Sequence, residues 1–289
     1  MSSDRWVLPS GSSASAGFEL AVTPESAGWG YSSLRILALD AGDQRTIETG
    51  AEELIVMPLS GGAEVEVDGR AHRLDGRSSV FAGPSDFSYL PIGSRATIGS
   101  PTGGRFALCG ARTERSLPFR YGAADAVSVE LRGAGQASRL VRNFGTVGSF
   151  ETGKLIACEV ITPDGNWSSY PAHKHDHAGA SESELEEIYY FEIAAGPNRE
   201  PGFGYMQTSA SDERPIKIMT EVRDRDTVLV PYGWHGPCVA APGFDMYYLN
   251  VMAGPAAERA WLISDHPDHA FVRSCWDRQQ VDPRLNGRR

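Results

Sequence analysis

Hydrophobic residues occur along this 289-residue chain in short runs separated by turn signals, and this pattern predicts β strands. In the first half, the apolar run 54–59 ends at the turn signal 60–62, and the alternating segment 63–67 follows. Asp68-Gly69 then predicts a hairpin. The second half contains further runs of the same kind, at residues 155–161, 187–193, 227–230 and 246–252.

Strands at this spacing predict an all-β protein built from antiparallel sandwiches or barrels. Long amphipathic helix patterns are absent from the sequence, and the segment 256–262 is compatible with only a short helix. The 32 glycines and 18 prolines agree with a chain rich in turns. A Gly- and Ala-rich segment at 122–135 separates the two series of strands. We therefore predict two β domains, residues 1–130 and residues 131–289.

Charge and hydropathy exclude several kinds of partner. The formal net charge is −10, which would repel a phosphate backbone, so we expect no nucleic acid partner. No apolar run approaches the roughly 20 residues that cross a bilayer, so we expect no membrane partner. The Ser-rich start lacks the basic and apolar segments of a secretory signal. These features predict a cytoplasmic protein, and they leave a homo-oligomer open.

The histidines carry the strongest chemical signal. Three of the seven lie within five positions, at His173, His175 and His177. On a strand, residues i and i+2 face the same side, so the first two could bind one ion. Glu186 and Glu187 open the next predicted strand, and His235 follows an apolar run. Three imidazoles and a carboxylate suit a borderline divalent metal and leave positions open for substrate. The alternative interpretation of this segment is a solvated, charged loop.

Two motifs in this order resemble those of the cupin superfamily. They are His-x-His followed by Glu before an aromatic strand, and Pro-x-Gly-x-His from Pro231 to His235. In the second motif, Gly233 predicts a tight turn that would direct His235 into a barrel. Longer strings resemble the 5-deoxy-glucuronate isomerase family, bicupin enzymes of myo-inositol degradation, at residues 162–176, 185–190, 230–235 and 241–255. The resemblance is dense over 140–275. It is thinner in the first half, where 54–92 resembles the first cupin of that family.

This resemblance implies a bicupin, with two antiparallel jelly-roll barrels and few short helices. The first barrel would lack a metal site, and the second would bind one divalent ion, zinc by preference or else Mn, Fe, Co or Ni. The implied ligands are His173, His175, His235 and one glutamate. Alignment with related ketol-isomerases favours Glu186. The general cupin pattern favours Glu187, which shares a strand face with apolar residues, and we prefer it as the ligand.

The reaction implied by the resemblance converts 5-deoxy-D-glucuronate, a sugar acid, to the ketose 5-dehydro-2-deoxy-D-gluconate. A base would move a proton from C2 to C1, and the candidates are Glu186, His177, Tyr170 and Tyr248. The candidates for binding the substrate carboxylate are Arg142 and Lys174. The candidates for binding its hydroxyls are Ser168, Ser169 and Tyr170. The same ligand set is compatible with a cupin dioxygenase or decarboxylase of a small organic acid, and with a non-catalytic sugar-binding cupin.

Two further segments lie near this predicted site. Residues 178–185 lengthen the spacing between the histidines and the glutamate, and they form either a flap or a plain loop. Trp261 and Trp276 are interpreted as packing anchors. His266 and His269 are predicted to lie in a turn rather than to bind metal.

Overall fold

The computed structural model describes residues 5–212 and 214–286 as strands connected by turns, with very little helix. The first part of the chain forms β1 (Val7–Leu8), β2 (Leu20–Val22), β3 (Ser32–Leu39), β4 (Gln44–Glu48), β5 (Glu52–Val67), β6 (Arg70–Arg77), β7 (Phe87–Leu90), β8 (Arg95–Gly99), β9 (Gly104–Arg112) and β10 (Arg120–Gly122). The second part forms β11 (Ser128–Arg132), β12 (Arg139–Asn143), β13 (Ile156–Thr162), β14 (Trp167–Ser168), β15 (His173–Lys174), β16 (Glu186–Ile193), β17 (Phe203–Ser211), β18 (Arg214–Arg223), β19 (Thr227–Val230), β20 (Trp234–Ala240), β21 (Met246–Ala253) and β22 (Ser264–Asp265).

The helices are short. They are α1 (Pro24–Ala27) and α2 (Val272–Trp276), with 3-10 turns at Ala124–Ala126, Gly135–Ala137 and Pro283–Leu285. Within the part of the chain that the structure describes, no helix has the length and apolar character of a membrane span.

The first half of the chain folds into one curled sheet. Its strands lie in the order β10-β7-β5-β9-β3-β2, and the long β5 continues past this path to pair with β6 and β8. The barrel interior is apolar, with Leu54, Val56, Leu90 and Phe106 in one buried cluster. Burial of these side chains stabilises the barrel.

The second half repeats this order. One sheet runs β1-β19-β16-β21-β13-β12-β11, and a second sheet runs β18-β17-β20-β15-β22 with β14 beside β20. The pairings among β19, β16, β21 and β13 correspond to those among β7, β5, β9 and β3 in the first half, and every pairing between the described strands is antiparallel. The prediction of an all-β fold with two antiparallel barrels is confirmed.

Sheet membership changes between Gly122, which ends β10, and Ser128, which begins β11. The strand β1 is an exception to the order along the chain, because Val7 pairs with Val228 in the second sheet. The domain division at residue 130 stays a prediction. The strand pairings place the start of the chain with the second half.

Two glutamates, one from each half, accept hydrogen bonds from backbone N–H groups of the other half. The carboxylate of Glu53, in the first half, accepts hydrogen bonds from the backbone N–H groups of residues 153–155 at 2.6 to 2.8 Å. The carboxylate of Glu186, in the second half, accepts from the N–H groups of residues 30–32 at 2.6 to 2.9 Å. Leu54 lies opposite Leu90 just as Glu187 lies opposite Val230, so Glu53 and Glu186 occupy equivalent positions.

A buried charge cluster also joins the halves. Arg77 of the first half forms an ion pair with Glu159 of the second half, and Tyr247 donates to the same carboxylate at 2.8 Å. Burial raises the pKa of Glu159, but Arg77 lowers it more, so the group is held as a carboxylate. The closely packed sheets around this cluster bury Ile55 and Ile188 in one shared core.

The predicted turn at 60–62 is wrong, because β5 runs through it. Gly61 has φ +76°, and a Cβ there would lie 2.2 Å from the carbonyl oxygen of Gly103. The glycine permits two backbone segments to approach closely within a bent strand. The prediction of a short helix at 256–262 is also wrong, because this segment has no helical structure. Its Arg259 side chain donates hydrogen bonds to the backbone carbonyls of Gly145, Phe150 and Leu155.

Candidate metal centre and pocket

Three side chains meet inside the second barrel in a group that could hold a metal ion. The ligand atoms of His175, Glu187 and His235 all lie within 4.8 Å of one another, and all three residues are buried. The Oε2 atom of Glu187 lies 3.0 Å from Nε2 of His175 and 3.1 Å from Nε2 of His235. Glu187 comes from β16, and His235 comes from β20.

The backbone fixes the orientation of each imidazole. Nδ1 of His173, His175 and His235 lies 3.1, 3.2 and 3.0 Å from a carbonyl oxygen, of Pro171, Leu185 and Gly233 respectively. A carbonyl only accepts, so each Nδ1 carries a hydrogen, and Nε2 is the atom available to a metal ion. This is the arrangement of imidazoles that bind metals. Nε2 of His235 is buried without a hydrogen-bond partner, which fits a metal ligand.

His173 lies beside this group rather than at its centre. Its ring centroid is 4.4 Å from that of His235 and 6.3 Å from that of His175. It also lines the cavity that opens onto Glu187. His173 is therefore placed to complete the ligand set or to contact a bound substrate.

The ionisation of these groups suits a cation. Burial raises the pKa of Glu187, but the adjacent His175 and His235 lower it more, to about 2. Burial and the neighbouring His235 and His175 lower the pKa of His173 well below its usual value. Burial lowers the pKa of His175, yet Glu187 raises it more, so the pKa of His175 is raised. A bound metal would take the place of that proton.

Two glycines shape the backbone around the histidines. Gly233 has φ +101°, and a Cβ there would lie 2.6 Å from the carbonyl oxygen of Ser209. Gly236 has φ +90°, and a Cβ there would lie 1.8 Å from the carbonyl oxygen of Ser169. Neither position accepts a side chain without a backbone shift. The tight turn that the sequence predicts at Gly233 thus directs His235 into the barrel.

A cavity of about 240 Å³ adjoins the metal group. Besides His173 and Glu187, its walls contain three hydroxyl groups, of Ser169, Tyr189 and Tyr248. Three arginines also line it, and these are Arg132, Arg139 and Arg273. The cavity therefore combines a metal group, hydroxyls and cations, which suits a small, polar and anionic ligand.

The three hydroxyls form one network. The Ser169 hydroxyl lies 3.1 Å from the Tyr189 hydroxyl and 3.2 Å from that of Tyr248. Burial raises the pKa of both tyrosines. Both phenols therefore stay protonated at neutral pH and can donate hydrogen bonds, which argues against Tyr248 as a proton acceptor in this state.

The structure does not bring Glu186 or Arg142 into the cavity. Glu186 lies next to Glu187 on β16, so its side chain faces the first half, where residues 30–32 bind it. Arg142 faces the first half in the same way and donates to the carbonyl of Val80 at 2.8 Å. The expectations that Glu186 acts as a base and that Arg142 binds the substrate carboxylate are corrected by these positions.

Lys174 and His177 also lie outside the cavity walls. The Lys174 ammonium donates to Asp176 at 2.7 Å and to Glu182 at 2.8 Å, so acidic partners already neutralise it. His177 is exposed and forms an ion pair with Asp212 at 2.6 Å. The structure thus gives Lys174 a role in anchoring the loop 178–185, and it places His177 at the surface. That loop does not line the cavity.

Ser168 and Tyr170 flank Ser169 but point elsewhere. The Ser168 hydroxyl accepts a hydrogen bond from Thr162 at 2.7 Å and is fully buried. The Tyr170 side chain lines a separate cavity with Trp167 and Trp276. Of the three residues predicted to bind sugar hydroxyls, the structure brings only Ser169 to the metal group.

The sequence analysis did not predict several of the residues that line the cavity. Arg139 shares a face of β12 with Val141, and that face lines the cavity. Asn250 and Trp261 also line it, and their side-chain N–H groups are buried without partners. Strand alternation separates Arg139 from Arg142, but the sequence does not show which face lies inside. Trp261, interpreted above as a packing anchor, contributes a free donor as well.

Two antiparallel barrels, with a His/Glu/His group inside the second, define a protein of the cupin class. The model of the KduI/IolB family matches residues 6–272, and the chain belongs to this family. A 5-deoxy-glucuronate isomerase of Geobacillus kaustophilus (strain HTA426) is 38% identical over 272 residues, covering 93% of this chain and 95% of the relative. The 5-deoxy-glucuronate isomerase of Bacillus subtilis (strain 168) is 33% identical, covering 87% and 91%.

Solved structures agree with this assignment. The crystal structure of an IolB-like protein from Salmonella typhimurium LT2 matches with a TM-score of 0.84 and 33% identity, covering 92% of this chain and 98% of that one. An oxalate decarboxylase of Lactobacillus farciminis, in a formate complex, matches with a TM-score of 0.58 and 12% identity, covering 85% and 82%. The second likeness concerns the fold alone.

Proposed function

We propose that this protein is a metal-dependent aldose-ketose isomerase that converts 5-deoxy-D-glucuronate to 5-dehydro-2-deoxy-D-gluconate in myo-inositol catabolism. The observation that carries the proposal is the convergence of His175, Glu187 and His235 beside a cavity that also holds hydroxyls and cations. Membership of the KduI/IolB family and the names of the relatives support the same reaction.

The proposed ligands are His173, His175, Glu187 and His235. When bound, a divalent metal would act as a Lewis acid towards the sugar carbonyl and its neighbouring hydroxyl. Three imidazoles and one carboxylate favour a borderline metal, and we propose zinc first, then Mn, Fe, Co or Ni. Hydrogen bonds from Nδ1 to backbone carbonyls hold the three imidazoles ready for the ion.

The chain supplies proton donors beside this centre. Tyr248 is proposed to donate a hydrogen bond from Oη to the oxygen that gains negative charge when C2 loses its proton. Ser169 connects Tyr248 with Tyr189, so the network holds both phenols in place. Such preorganised donors stabilise charge in a site that excludes water.

The direct test is proton NMR of the metal-loaded protein with 5-deoxy-D-glucuronate, under nitrogen. We expect the aldehyde hydrate and hemiacetal signals to be replaced by those of a hydroxymethyl ketone. In D2O, deuterium at the new C1 hydroxymethyl group would indicate proton transfer through solvent-exchanging groups. No conversion by folded, metal-loaded protein would contradict the proposal.

Measurements of oxygen uptake and carbon dioxide release with candidate organic acids, together with the NMR experiment, separate the alternative functions. A dioxygenase would consume oxygen with an organic acid, and a decarboxylase would release carbon dioxide. A non-catalytic sugar-binding cupin would retain the sugar without changing its NMR spectrum. Isomerisation under nitrogen, without release of carbon dioxide, is the result that we expect.

A further inference from the structure

Among the cavity residues, Arg139 has an unusual charge environment. It is 6% exposed, and its guanidinium donates to the carbonyl oxygens of Ala137 at 3.0 Å and Tyr170 at 3.4 Å. Within the described ranges 5–212 and 214–286, no carboxylate forms a salt bridge with it. Burial lowers the pKa of Arg139 to about 10, so it remains a cation at neutral pH.

The two other arginines of the cavity differ from Arg139 in this respect. Arg132 donates to Glu130 at 3.1 and 2.8 Å, and Arg273 is paired with Asp265. Each of these pairs is close to neutral overall. The one unbalanced positive charge among the three arginines therefore belongs to Arg139.

Free donors in the same cavity point to a ligand with several oxygen atoms. Nδ2 of Asn250 and Nε1 of Trp261 are buried and have no hydrogen-bond partner. Leaving a buried donor unpaired is costly, so these groups fit a bound acceptor. Asn250 and Trp261 line the same cavity as Arg139 and Glu187.

We infer that Arg139 binds the carboxylate of the substrate and so makes the enzyme specific for uronates over neutral sugars. This inference rests on the proposed function for the identity of the sugar. The reacting carbonyl and the carboxylate lie at opposite ends of a six-carbon chain, so one molecule can contact the metal group and Arg139 together. A guanidinium matches a carboxylate with two parallel hydrogen bonds, which also fixes orientation.

The test compares 5-deoxy-D-glucuronate with 5-deoxy-D-glucose, its neutral analogue. Arg139→Gln should raise KM for the uronate about 30-fold, because a charge-assisted pair is lost. It should change kcat less, and it should leave kcat/KM for the neutral analogue within about twofold. Arg139→Lys should recover part of the affinity, since the charge remains but the planar fork does not.

A binding measurement makes the inference independent of turnover. By calorimetry, D-gluconate, which has no aldehyde, should bind the metal-loaded protein more tightly than the neutral D-glucitol. Arg139→Gln should remove this preference. If the wild type shows the preference but no isomerisation, the carboxylate site stands and the proposed function fails.

Arg259→Gln is the matched control. Arg259 is also a partly buried arginine that donates to carbonyls, but it lies outside the cavity. Its substitution tests stability alone and should leave both KM values unchanged. Arg273→Gln should affect KM less than Arg139→Gln, because Asp265 already balances its charge.

Two results would overturn the inference. One is an unchanged KM for the uronate in Arg139→Gln that folds and retains metal. The other is an equal or larger effect of Arg273→Gln. Should Arg139→Gln fail to fold, Arg139→Lys carries the test, with a KM for the uronate raised about fivefold expected from loss of the bidentate contact.

Discussion

The two halves of this protein share one order of strands but have different interiors. In the first barrel, Leu54 occupies the position that Glu187 has in the second, judged by their partners Leu90 and Val230. Likewise the buried residues Ile47 and Ala96 pair in the first barrel where His173 and His235 pair in the second. The first interior is apolar, whereas the second holds the histidines.

This difference shows that the fold does not require the metal group. The first barrel reaches the same strand order around a largely apolar cluster. The chemistry of the second barrel resides in a few side chains on an equivalent framework. Substitutions at equivalent positions in the two halves should therefore separate effects on function from effects on folding.

The largest contrast should come from His235 in the second barrel and the exposed Arg95 in the first. His235→Ala removes a buried ligand, so it should abolish metal retention after dialysis and lower kcat/KM about a thousandfold. Arg95→Ala removes an exposed residue whose ion pair with Glu48 is also exposed. It should leave metal content and kcat/KM unchanged. Metal analysis and NMR rates measure both, and metal retention by His235→Ala would contradict the assignment.

The next contrast concerns the equivalent glutamates Glu53 and Glu186. Replacing either by Gln places an amide N–H group against backbone donors, and each variant should lose about 1–3 kcal/mol of unfolding free energy. Neither should change metal content. Glu64→Gln, at an exposed position of β5, is the control and should change stability little. Chemical denaturation provides the measurement, and a catalytic defect confined to Glu186→Gln would restore it as a candidate base.

The contact between the halves predicts a pH dependence. The pKa of Glu159 is lowered in the folded state from an ordinary value of 4.5. Its stabilising contribution is therefore present above about pH 4.5 and declines as the pH falls towards the folded pKa. Glu159→Gln removes this titrating group, so the variant should lose less stability than the wild type as the pH falls below about 4.5. Urea unfolding at pH 3.5 and 6 measures it, and an equally steep loss in the variant would argue against this cluster.

The smallest effect should come from His177. Its partner Asp212 is as exposed as the histidine itself, and such surface pairs contribute about 0–1 kcal/mol. His177→Ala should keep kcat/KM within about twofold and leave the metal content unchanged. A large loss of kcat in a folded variant would return His177 to the list of catalytic candidates.

Much of the fold and of the metal group could be predicted from the sequence. Alternation of apolar residues places Glu187 with Tyr189 on one face of β16, and the glycine before His235 predicts the turn that orients it. Alternation alone does not show which face of a strand lines the interior of its own barrel and which face packs against the other half. For this reason Glu186 and Arg142, which face the first half, were expected in the site, while Arg139 was not.

The other cavity residues that the sequence did not predict come from distant segments. Trp261 and Arg273 follow the last long strand and reach the cavity only through the path of the folded chain. Lys174 illustrates a different obstacle, because its neutralising partner Glu182 lies in a loop whose conformation the sequence does not fix. Long-range contacts of this kind leave no periodic pattern.

We propose that the second barrel binds one divalent metal ion and that the first barrel binds none. Anomalous diffraction from crystals of the metal-loaded protein tests it most directly. We predict one peak per chain, about 2.0–2.2 Å from the ligand atoms of His175, Glu187 and His235, and none beside Leu54. A principal peak elsewhere, or an equal second peak in the first barrel, would contradict the account.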